Sequence, residues 1–332
     1  TKVYTLAIDA PSGLFADKAV SHRESVLNAK HILTFQTPKL SFLLPENDKH
    51  VNTWEVIDIG LDQSFIEGLK PTMKYVIKSD ITDFYKPRNK WSHKGSFGHS
   101  LIMGGSYGKI GAVTLATRAA LKIGSGRVTA YLPKCGYDIL QSSVPEAMVE
   151  VDDEILLHYY NVKTEASVIG LGPGMGTAEK TAAGFKKFIG DNQHPLVIDA
   201  DGINLLSKDR SLLEKIPNDT VLTPHPKELE RLLGTWKDDY DKLEMAVNFS
   251  MKYSIILVIK GAHTAIVDKR NIYFNSTGNP ALATAGSGDV LTGLITGLIA
   301  QGYQPVQAAI FSVYLHGVTA DMAISKTAHE TF

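Results

Sequence analysis

The chain has 332 residues, of which 44% are hydrophobic and 21% charged, a composition typical of a globular protein with a sizeable core. Its formal net charge is −1, and no dense basic run or arginine-rich arm is present, so we expect no nucleic-acid partner. A single cysteine, Cys135, cannot form an intrachain disulfide and fits a reducing compartment. Because no secretory leader and no bilayer-length apolar stretch are evident, we expect a cytoplasmic protein with no membrane partner.

Residues 1 to 68 contain three apolar runs with strand character, VYTLAID, AKHILTFQT and TWEVIDIGL, which are separated by turns at APSG and PEND. They predict a partial, Rossmann-like α/β segment. A polar stretch punctuated by proline and glycine follows them. We therefore place a domain boundary here, with one unit over residues 1 to 68 and a second over residues 69 to 332.

From residue 99 onward, apolar runs alternate with helical segments. The runs are SLIMGG, RVTAYLP, ASVIGLGPG, PLVIDADG, TVLTPH and SIILVIKG. The first helix, over AVTLATRAALKIG, is expected to end with Gly124 as its C-cap. This alternation predicts a three-layer α/β/α sandwich with a mostly parallel sheet, and TAIVDKRNIYF adds a hairpin. Ligands of such sheets bind beyond the carboxyl ends of the strands.

A glycine-rich approach to an apolar helix lies at residues 279 to 298, NPALATAGSGDVLTGLITGL. Asp289 has two interpretations there. It is either the N-cap of the helix, a position that aspartate commonly fills, or a general base beside an anion site. In the second case the amides of Gly286, Ser287 and Gly288 would bind a phosphate or a developing oxyanion. The residues of this stretch, taken by themselves, favour the cap.

Two other glycine-rich stretches do not match nucleotide-binding motifs in spacing. In GGSYGKIG, Lys109 falls one position too early for a P-loop, and Ile110 replaces the required hydroxyl residue. The glycines of GLGPGMG are not at the GxGxxG offsets. A dinucleotide-binding Rossmann half is therefore unsupported, although both stretches follow strands and can line a ligand cleft.

Three further strand ends carry polar residues, and each has an ordinary structural explanation. DADGIN, at residues 199 to 204, contains residues that form turns as often as sites. In TPHPKE, Pro226 would open a helix with Glu228 in its first turn, where the dipole favours an acid. Lys260 of VIKGAHT could bind a phosphate, but a lysine at a strand end is commonplace. No histidine pair has zinc-like spacing.

The order of these motifs across residues 93 to 293 resembles the NAD(P)H-hydrate dehydratase family, which is ribokinase-like and repairs hydrated nicotinamide cofactors. The resemblance implies that the ring hydroxyl of the hydrate is phosphorylated and that phosphate then leaves, which restores the dinucleotide. It implies ADP as donor in the bacterial type, ATP in the eukaryotic type, and Mg²⁺. It also implies a homo-oligomer, and it reverses the preference for a simple cap at Asp289.

The resemblance also implies site residues. Asp289 would be the catalytic base, and the amides of Gly286, Ser287 and Gly288 would form the anion hole. The positions that match the adenine-nucleotide contacts are Lys260, Gly261, Ala262, His263, Thr264 and Gly288. Those that match the contacts to the hydrated dinucleotide are Ala112, Gly174, His225 and Asp289, with Asn204 near the phosphates. Glu228 would order Mg²⁺ through water.

The first 68 residues are similar to the closing third of the NAD(P)H-hydrate epimerase domain, through AIDAPSGL, FQTPKLSFLLPE and VIDIGL. That similarity implies a substrate contact at Asp9 and a K⁺ contact at Ser12. The earlier motifs of that family's site are missing, so we expect no epimerase activity from this chain. Its fusion to the second unit favours ADP over ATP.

Two alternatives remain open on the sequence. A ribokinase-like kinase acting on a vitamin precursor or a sugar would share the glycine loop, the aspartate and Mg²⁺, but would leave a stable phosphate ester. A silent nucleotide-binding or scaffold protein would bind nucleotide without turnover, and the intact Asp289 and glycine loop count against it.

Overall fold

The computed structural model describes residues 4–20, 25–324, 326 and 328, which fold into two sheets. The opening residues 1–3, which include the start of the first predicted strand, lie outside this description. The small sheet contains β1 (Leu6–Ile8), β2 (His31–Phe35) and β3 (Trp54–Ile57), all parallel and in that order. Short 3₁₀ helices at Leu40–Leu43 and Pro45–Asn47 follow β2.

The large sheet has ten strands in the order β4-β13-β12-β11-β10-β9-β8-β5-β6-β7. Their bounds are β4 (Met73–Val76), β5 (His99–Met103), β6 (Arg127–Leu132), β7 (Met148–Val151), β8 (Val168–Leu171), β9 (Leu196–Ile198), β10 (Val221–Leu222), β11 (Ile256–Ile259), β12 (Ala265–Asp268) and β13 (Asn271–Asn275). Strand β12 runs antiparallel to both of its neighbours, and the remaining pairings are parallel. The predicted mostly parallel sheet and the predicted hairpin are therefore confirmed.

Helices cover both faces of the large sheet. One face packs against α5 (Glu179–Asp191), α6 (Ala200–Lys208), α7 (Pro226–Leu233) and α8 (Asp239–Tyr253). The other packs against α2 (Lys78–Phe84), α3 (Ile110–Lys122), α4 (Tyr137–Ser143), α9 (Ser287–Ala300) and α10 (Pro305–Ala323). A further short helix, α1 (Gln63–Gly68), precedes β4. Among the described residues, no helix combines the length and the hydrophobicity that crossing a bilayer requires.

Burial on both faces explains the continuous apolar runs of the central strands. In β5, Leu101 and Met103 enter the core on the α5–α8 side, whereas Ile102 enters the core beneath α3 and α4. At the end of α3 the C-cap is Ile123, so the prediction of Gly124 at that position was off by one residue. Gly124 follows with φ 107°, a left-handed conformation that ends the helix.

Helices α3 and α9 run parallel and in close contact. A Cβ added at Gly293 would lie 2.1 Å from the carbonyl oxygen of Ala116, and one at Gly297 would lie 2.9 Å from that of Ala120. Only glycine allows the two backbones to approach so closely. Because the helices are parallel, both of their N-termini lie at the carboxyl end of the sheet.

The small sheet is joined to the large one by polar and apolar contacts. The Glu46 carboxylate accepts from the Asp239 N–H at 2.7 Å, and the Asp239 carboxylate accepts from the Glu46 N–H at 2.9 Å. Through these two hydrogen bonds, a residue of the 3₁₀ helix Pro45–Asn47 caps the N-terminus of α8. Leu43 and Leu44 are buried in the same core as α8.

A ring cluster extends this contact to the loop that follows β11. Trp54 lies 5.8 Å from Tyr75 and 6.3 Å from His263, measured between ring centroids. The boundary that we placed after residue 68 falls between the two sheets, and its meaning as a division into two domains stays a prediction.

Candidate active site

The N-terminus of α9 lies at the carboxyl edge of the large sheet. The N-cap is Gly286, with φ 90°, and Asp289 is the third residue of the helix. The interpretation of Asp289 as the N-cap is therefore wrong. Gly286 is suited to the cap because a left-handed φ strains other residues, and because an added Cβ would lie 2.5 Å from Leu115 Cδ1. The Val290 N–H makes the first bond of the helix, to the Gly286 carbonyl at 3.0 Å.

The free amides at this helix end are those of Gly288 and Asp289, which have no hydrogen-bond partner within the described part of the chain. The Ser287 N–H points instead to the Thr284 carbonyl, at a long 3.4 Å. Free N–H groups at the positive end of a helix form a site for a phosphate or an oxyanion. The anion hole predicted at residues 286–288 stays a prediction. The Asp289 N–H is a further free donor at the same helix end.

A buried ion pair lies beside this loop. Asp199, which is 2% exposed, follows β9, and Lys260 follows β11; Asp199 Oδ1 lies 2.8 Å from Lys260 Nζ. Thr292 of α9 donates its hydroxyl to Asp199 Oδ2 at 2.9 Å. A Cβ on Gly288 would lie 3.4 Å from Lys260 Nζ. The pair therefore ties two strand ends to the first turns of α9.

The carboxyl group of Asp289 has a perturbed pKa. Burial is the main cause, the negative charges of Asp199 and Asp201 add to it, and Lys260 partly opposes it, so that the pKa rises to about 6. Among the described residues, no group donates a hydrogen bond to this carboxylate. At pH 7 this carboxylate is mostly ionised, which is the protonation state that a general base requires.

The loops after β5 and β8 meet at the start of α3. Gly174 has φ 63°, and an added Cβ would lie 2.6 Å from the Lys109 carbonyl oxygen and 3.1 Å from Ala112 Cβ. Ser106 donates its hydroxyl to the Gly174 carbonyl at 2.8 Å. The structure thus brings together Ala112 and Gly174, two of the residues predicted to contact the dinucleotide.

A chain of polar contacts runs along α6 and includes Asp201 and Asn204 of that helix. Asp201 accepts from the Gly176 N–H at 2.9 Å and lies 3.8 Å from Lys109 Nζ. Asn204 donates to Asp201 at 3.4 Å and accepts from Arg231 at 2.6 Å. Asn204 is therefore connected through Asp201 to the loop that carries Gly174.

His225 and Glu228 form a capping box at the start of α7. His225 Nδ1 accepts from the Lys227 and Glu228 N–H groups at 3.1 and 3.3 Å. Glu228 Oε2 accepts from the His225 N–H at 3.0 Å, and Oε1 lies 3.2 Å from His225 Nε2. The structural interpretation is confirmed, since Pro226 opens the helix and Glu228 occupies its first turn. The role of Glu228 in ordering Mg²⁺ stays a prediction.

The loop at residues 260–264 connects β11 to β12. Thr264 Oγ1 donates to the Gly261 carbonyl at 3.0 Å, which closes a tight turn, and the backbones of Gly261 and Ala262 are exposed. Burial lowers the pKa of His263, so its neutral ring donates from Nδ1 to the Asn275 carbonyl at 3.2 Å. A cavity of about 420 Å³ separates this loop from residues 42–54 of the small sheet.

Asp9 and Ser12 lie in the small sheet, and no contact within the described residues joins them to α9. Asp9, with φ 65°, follows β1 and accepts from Lys39 Nζ at 2.8 Å and from the Phe35 N–H at 3.1 Å. The bond from Lys39 is the main cause of the lowered pKa of Asp9. Ser12 is exposed on the following turn, and its carbonyl accepts from the Leu27 N–H.

Several neighbours of the site were not singled out from the sequence. His316 of α10 lies 3.4 Å from the Ser287 hydroxyl, and burial lowers its pKa to about 4, so it is neutral at pH 7. Asp199, Thr292 and Arg231 were also missed as individual residues. In the described residues, no three histidine, cysteine, aspartate or glutamate side chains are grouped so as to hold a metal ion.

Solved structures with a similar fold show the structural class to which this chain belongs. A ribokinase-like superfamily protein of Enterococcus faecalis matches with a TM-score of 0.68 at 28% identity, over 78% of this chain and 90% of its own. An ADP/ATP-dependent NAD(P)H-hydrate dehydratase of Bacillus subtilis, co-crystallised with ATP and Mg²⁺, matches with a TM-score of 0.67 at 25% identity, over 78% and 92%. The chain is ribokinase-like.

Within that class, the chain belongs to the NAD(P)H-hydrate dehydratase family, whose model matches residues 100–331. The resemblance found in the order of the motifs is thereby confirmed. A bifunctional NAD(P)H-hydrate repair enzyme of Moorella thermoacetica is 37% identical over 331 residues, 96% of this chain. An ADP-dependent (S)-NAD(P)H-hydrate dehydratase of Neisseria meningitidis is 38% identical over 250 residues, 72% of this chain and 81% of its own. The chain spans 62% of the length of the Moorella protein.

Proposed function

We propose that this chain catalyses the ADP-dependent dehydration of (S)-NAD(P)H-hydrate to NAD(P)H. The observation that carries the proposal is the start of α9, where two free amides, a carboxylate of raised pKa and the Asp199–Lys260 pair converge. The Neisseria relative is described as ADP-dependent, which supports ADP as the donor. An ATP-dependent version of the same reaction is the alternative to be tested beside it.

In the first step, the hydroxyl oxygen of the hydrated ring attacks the terminal phosphorus of ADP while Asp289 accepts its proton. The bond between that phosphorus and the bridging oxygen breaks, and AMP leaves with the electron pair. The amides of Gly288 and Asp289, which have no partner in the described chain, would bind the charge on the transferred phosphoryl oxygens. The ring now carries phosphate, a better leaving group than hydroxide.

In the second step, phosphate departs with the electron pair of its carbon–oxygen bond. A neighbouring ring carbon then loses its proton to water, and the electrons of that carbon–hydrogen bond restore the double bond. Lys260, oriented by Asp199, supplies a positive charge beside Gly288 for the phosphate groups. The exposed backbones of Gly261 and Ala262 are available to the adenine nucleotide.

Magnesium fits this site as an ion bound mainly by the nucleotide. Mg²⁺ commonly takes one or two carboxylates together with phosphate oxygens and water, and the described residues hold no closed cluster of ligands. When bound, the ion would neutralise charge on the transferred phosphate. Glu228 stays our candidate for ordering its water, because its carboxylate accepts one hydrogen bond from the His225 N–H and can accept more.

The test is to incubate the protein with (S)-NADHX, Mg²⁺ and either ADP or ATP, and to follow the absorbance of the reduced nicotinamide. We expect recovery of NADH with release of AMP and phosphate when ADP is the donor. A stable phosphate ester without recovery of NADH would favour a small-molecule kinase. Nucleotide binding without either product would favour a silent binding protein.

We further propose that this chain lacks epimerase activity, because the Asp9 carboxylate is already bound by Lys39 Nζ and by the Phe35 N–H. Conversion of (R)- to (S)-NADHX by this chain would contradict the proposal. A cytoplasmic location and a homo-oligomeric state rest on the single cysteine and on the family resemblance, respectively. Fractionation of cells and light scattering would test them.

A further inference from the structure

A second cleft opens on the α6–α7 side of the site. It has a volume of about 510 Å³ and is lined by Thr177, Asp201, Asn204, Ser207, Lys208 and Arg231. Four of these residues come from α6, namely Asp201, Asn204, Ser207 and Lys208, and Arg231 comes from α7. The cleft is continuous with the candidate active site through Asp201, whose charge acts on Asp289 and whose carboxylate holds the Gly176 N–H.

The charges around this cleft are unevenly compensated. Asp201 has a cationic neighbour in Lys109, and nearby Asp209 pairs with Lys186 at 2.8 Å. In contrast, no carboxylate of the described chain lies within ion-pair distance of Lys208 or Arg231. Both side chains are exposed. The cleft therefore carries an excess of positive charge at its outer end.

Arg231 is also held in place while most of its donors remain free. Its Nη1 donates to Asn204 Oδ1 at 2.6 Å, and no other hydrogen bond of the guanidinium occurs among the described residues. A guanidinium has five N–H donors and matches phosphate oxygens in a two-pronged geometry. The hydroxyls of Thr177 and Ser207 add neutral donors to the same cleft.

We propose that Arg231 and Lys208 bind a phosphate group of the dinucleotide that lies away from its reacting ring. The inference rests on the proposed function, because the hydrated dinucleotide is the substrate proposed there and the cleft adjoins Asp289 through Asp201. Two phosphate groups fit this chemistry, namely the pyrophosphate, present in both NADHX and NADPHX, and the 2′-phosphate, present in NADPHX alone.

The experiment compares Arg231→Gln and Lys208→Gln with the wild-type chain, using Arg270→Gln and Lys187→Gln as controls. Arg270 and Lys187 are exposed and do not line the cleft. Steady-state rates with NADHX and with NADPHX at saturating ADP would give KM and kcat separately. Binding of NADPH and of NADH, followed by their fluorescence, provides a measurement that needs no turnover.

We expect Arg231→Gln to raise KM and the Kd for NADPH by about 10- to 100-fold, as loss of a charged hydrogen bond would, with kcat changed less than about threefold. Lys208→Gln should have a smaller effect in the same direction, and Arg231→Lys should restore part of the affinity. An effect confined to NADPHX and NADPH assigns the 2′-phosphate, whereas equal effects on both dinucleotides assign the pyrophosphate.

Unchanged KM and Kd in Arg231→Gln would overturn the proposal, and so would a loss of kcat without a change in affinity. The latter would mean that Arg231 merely positions Asn204. Failure of the proposed function is distinguishable, because a wild-type chain without dehydratase turnover would still bind NADPH, and the variant would still weaken that binding if the phosphate subsite exists.

Discussion

Replacing Asp289 by asparagine is the sharpest test of the candidate active site, because activity and stability should move in opposite directions. The substitution keeps the shape of the side chain and removes its charge. No described residue donates a hydrogen bond to the carboxylate, so no native bond is lost. Asparagine cannot accept the substrate proton, and loss of a general base typically lowers the rate by about 10² to 10⁴.

The magnitude of the stability change follows from the raised pKa. A shift from 3.8 to about 6 corresponds to about 3 kcal/mol at full effect. Because the side chain is partly exposed, solvent screening reduces this to about 1–2 kcal/mol. The native state binds the proton more tightly than the unfolded chain, so this group destabilises the fold as pH rises from about 4 to 6. Asp289→Asn should therefore stabilise the protein by that amount at pH 7 and by almost nothing near pH 4.

The assays are NADH recovery from (S)-NADHX with ADP, and urea unfolding at pH 7 and pH 4. Asp138→Asn is a matched control, because Asp138 also lies in the first turn of a helix but is exposed. It should leave the rate unchanged and should not stabilise the fold. A near wild-type rate in Asp289→Asn would refute the assignment of the base. Destabilisation at pH 7 would refute the account of its environment.

Three further outcomes are expected. The wild-type kcat/KM should fall below pH of about 6, where Asp289 becomes protonated, and a flat profile between pH 5 and 8 would contradict its role as base. Gly286→Ala should lower the free energy of unfolding by about 1–3 kcal/mol and reduce turnover. Gly302 also has a left-handed φ but open space around it, so Gly302→Ala should leave turnover intact. Equal turnover in the two variants would argue against a role for the cap geometry. Deletion of residues 1 to 68 should leave an active core of lower Tm. The reason is that the burial of Leu43 and Leu44 is lost, which contributes about 1.5–3 kcal/mol for each side chain. An insoluble product would contradict the division into two separable domains.

The central strands could be predicted because both of their faces are buried, which produces continuous apolar runs such as the one in β5. Strands β4 and β7 were not predicted. They lie at the two edges of the large sheet, where most of their residues are exposed or half-buried. A strand at a sheet edge shows less of the hydrophobic pattern on which such predictions depend.

Individual residues of the candidate site could be predicted from the sequence, but the contacts between them could not. Asp289 was located, yet its place within the helix depends on the backbone conformation of Gly286, which the residue type permits but does not require. The pairing of Asp199 with Lys260 joins residues 61 positions apart and follows from the strand order. His316 gives no local signal, because it lies in an apolar helix and acquires its neighbour Ser287 through tertiary packing.

The parallel contact between α3 and α9 has a consequence for how accurately the anion site is built. Both helices begin at that site, yet their spacing is determined one to two turns further along, where Gly293 and Gly297 pack against the backbone of α3. A bulkier residue there would push the two helices apart and displace both of the loops that precede them. The geometry of the candidate site therefore depends in part on two glycines that no substrate would contact.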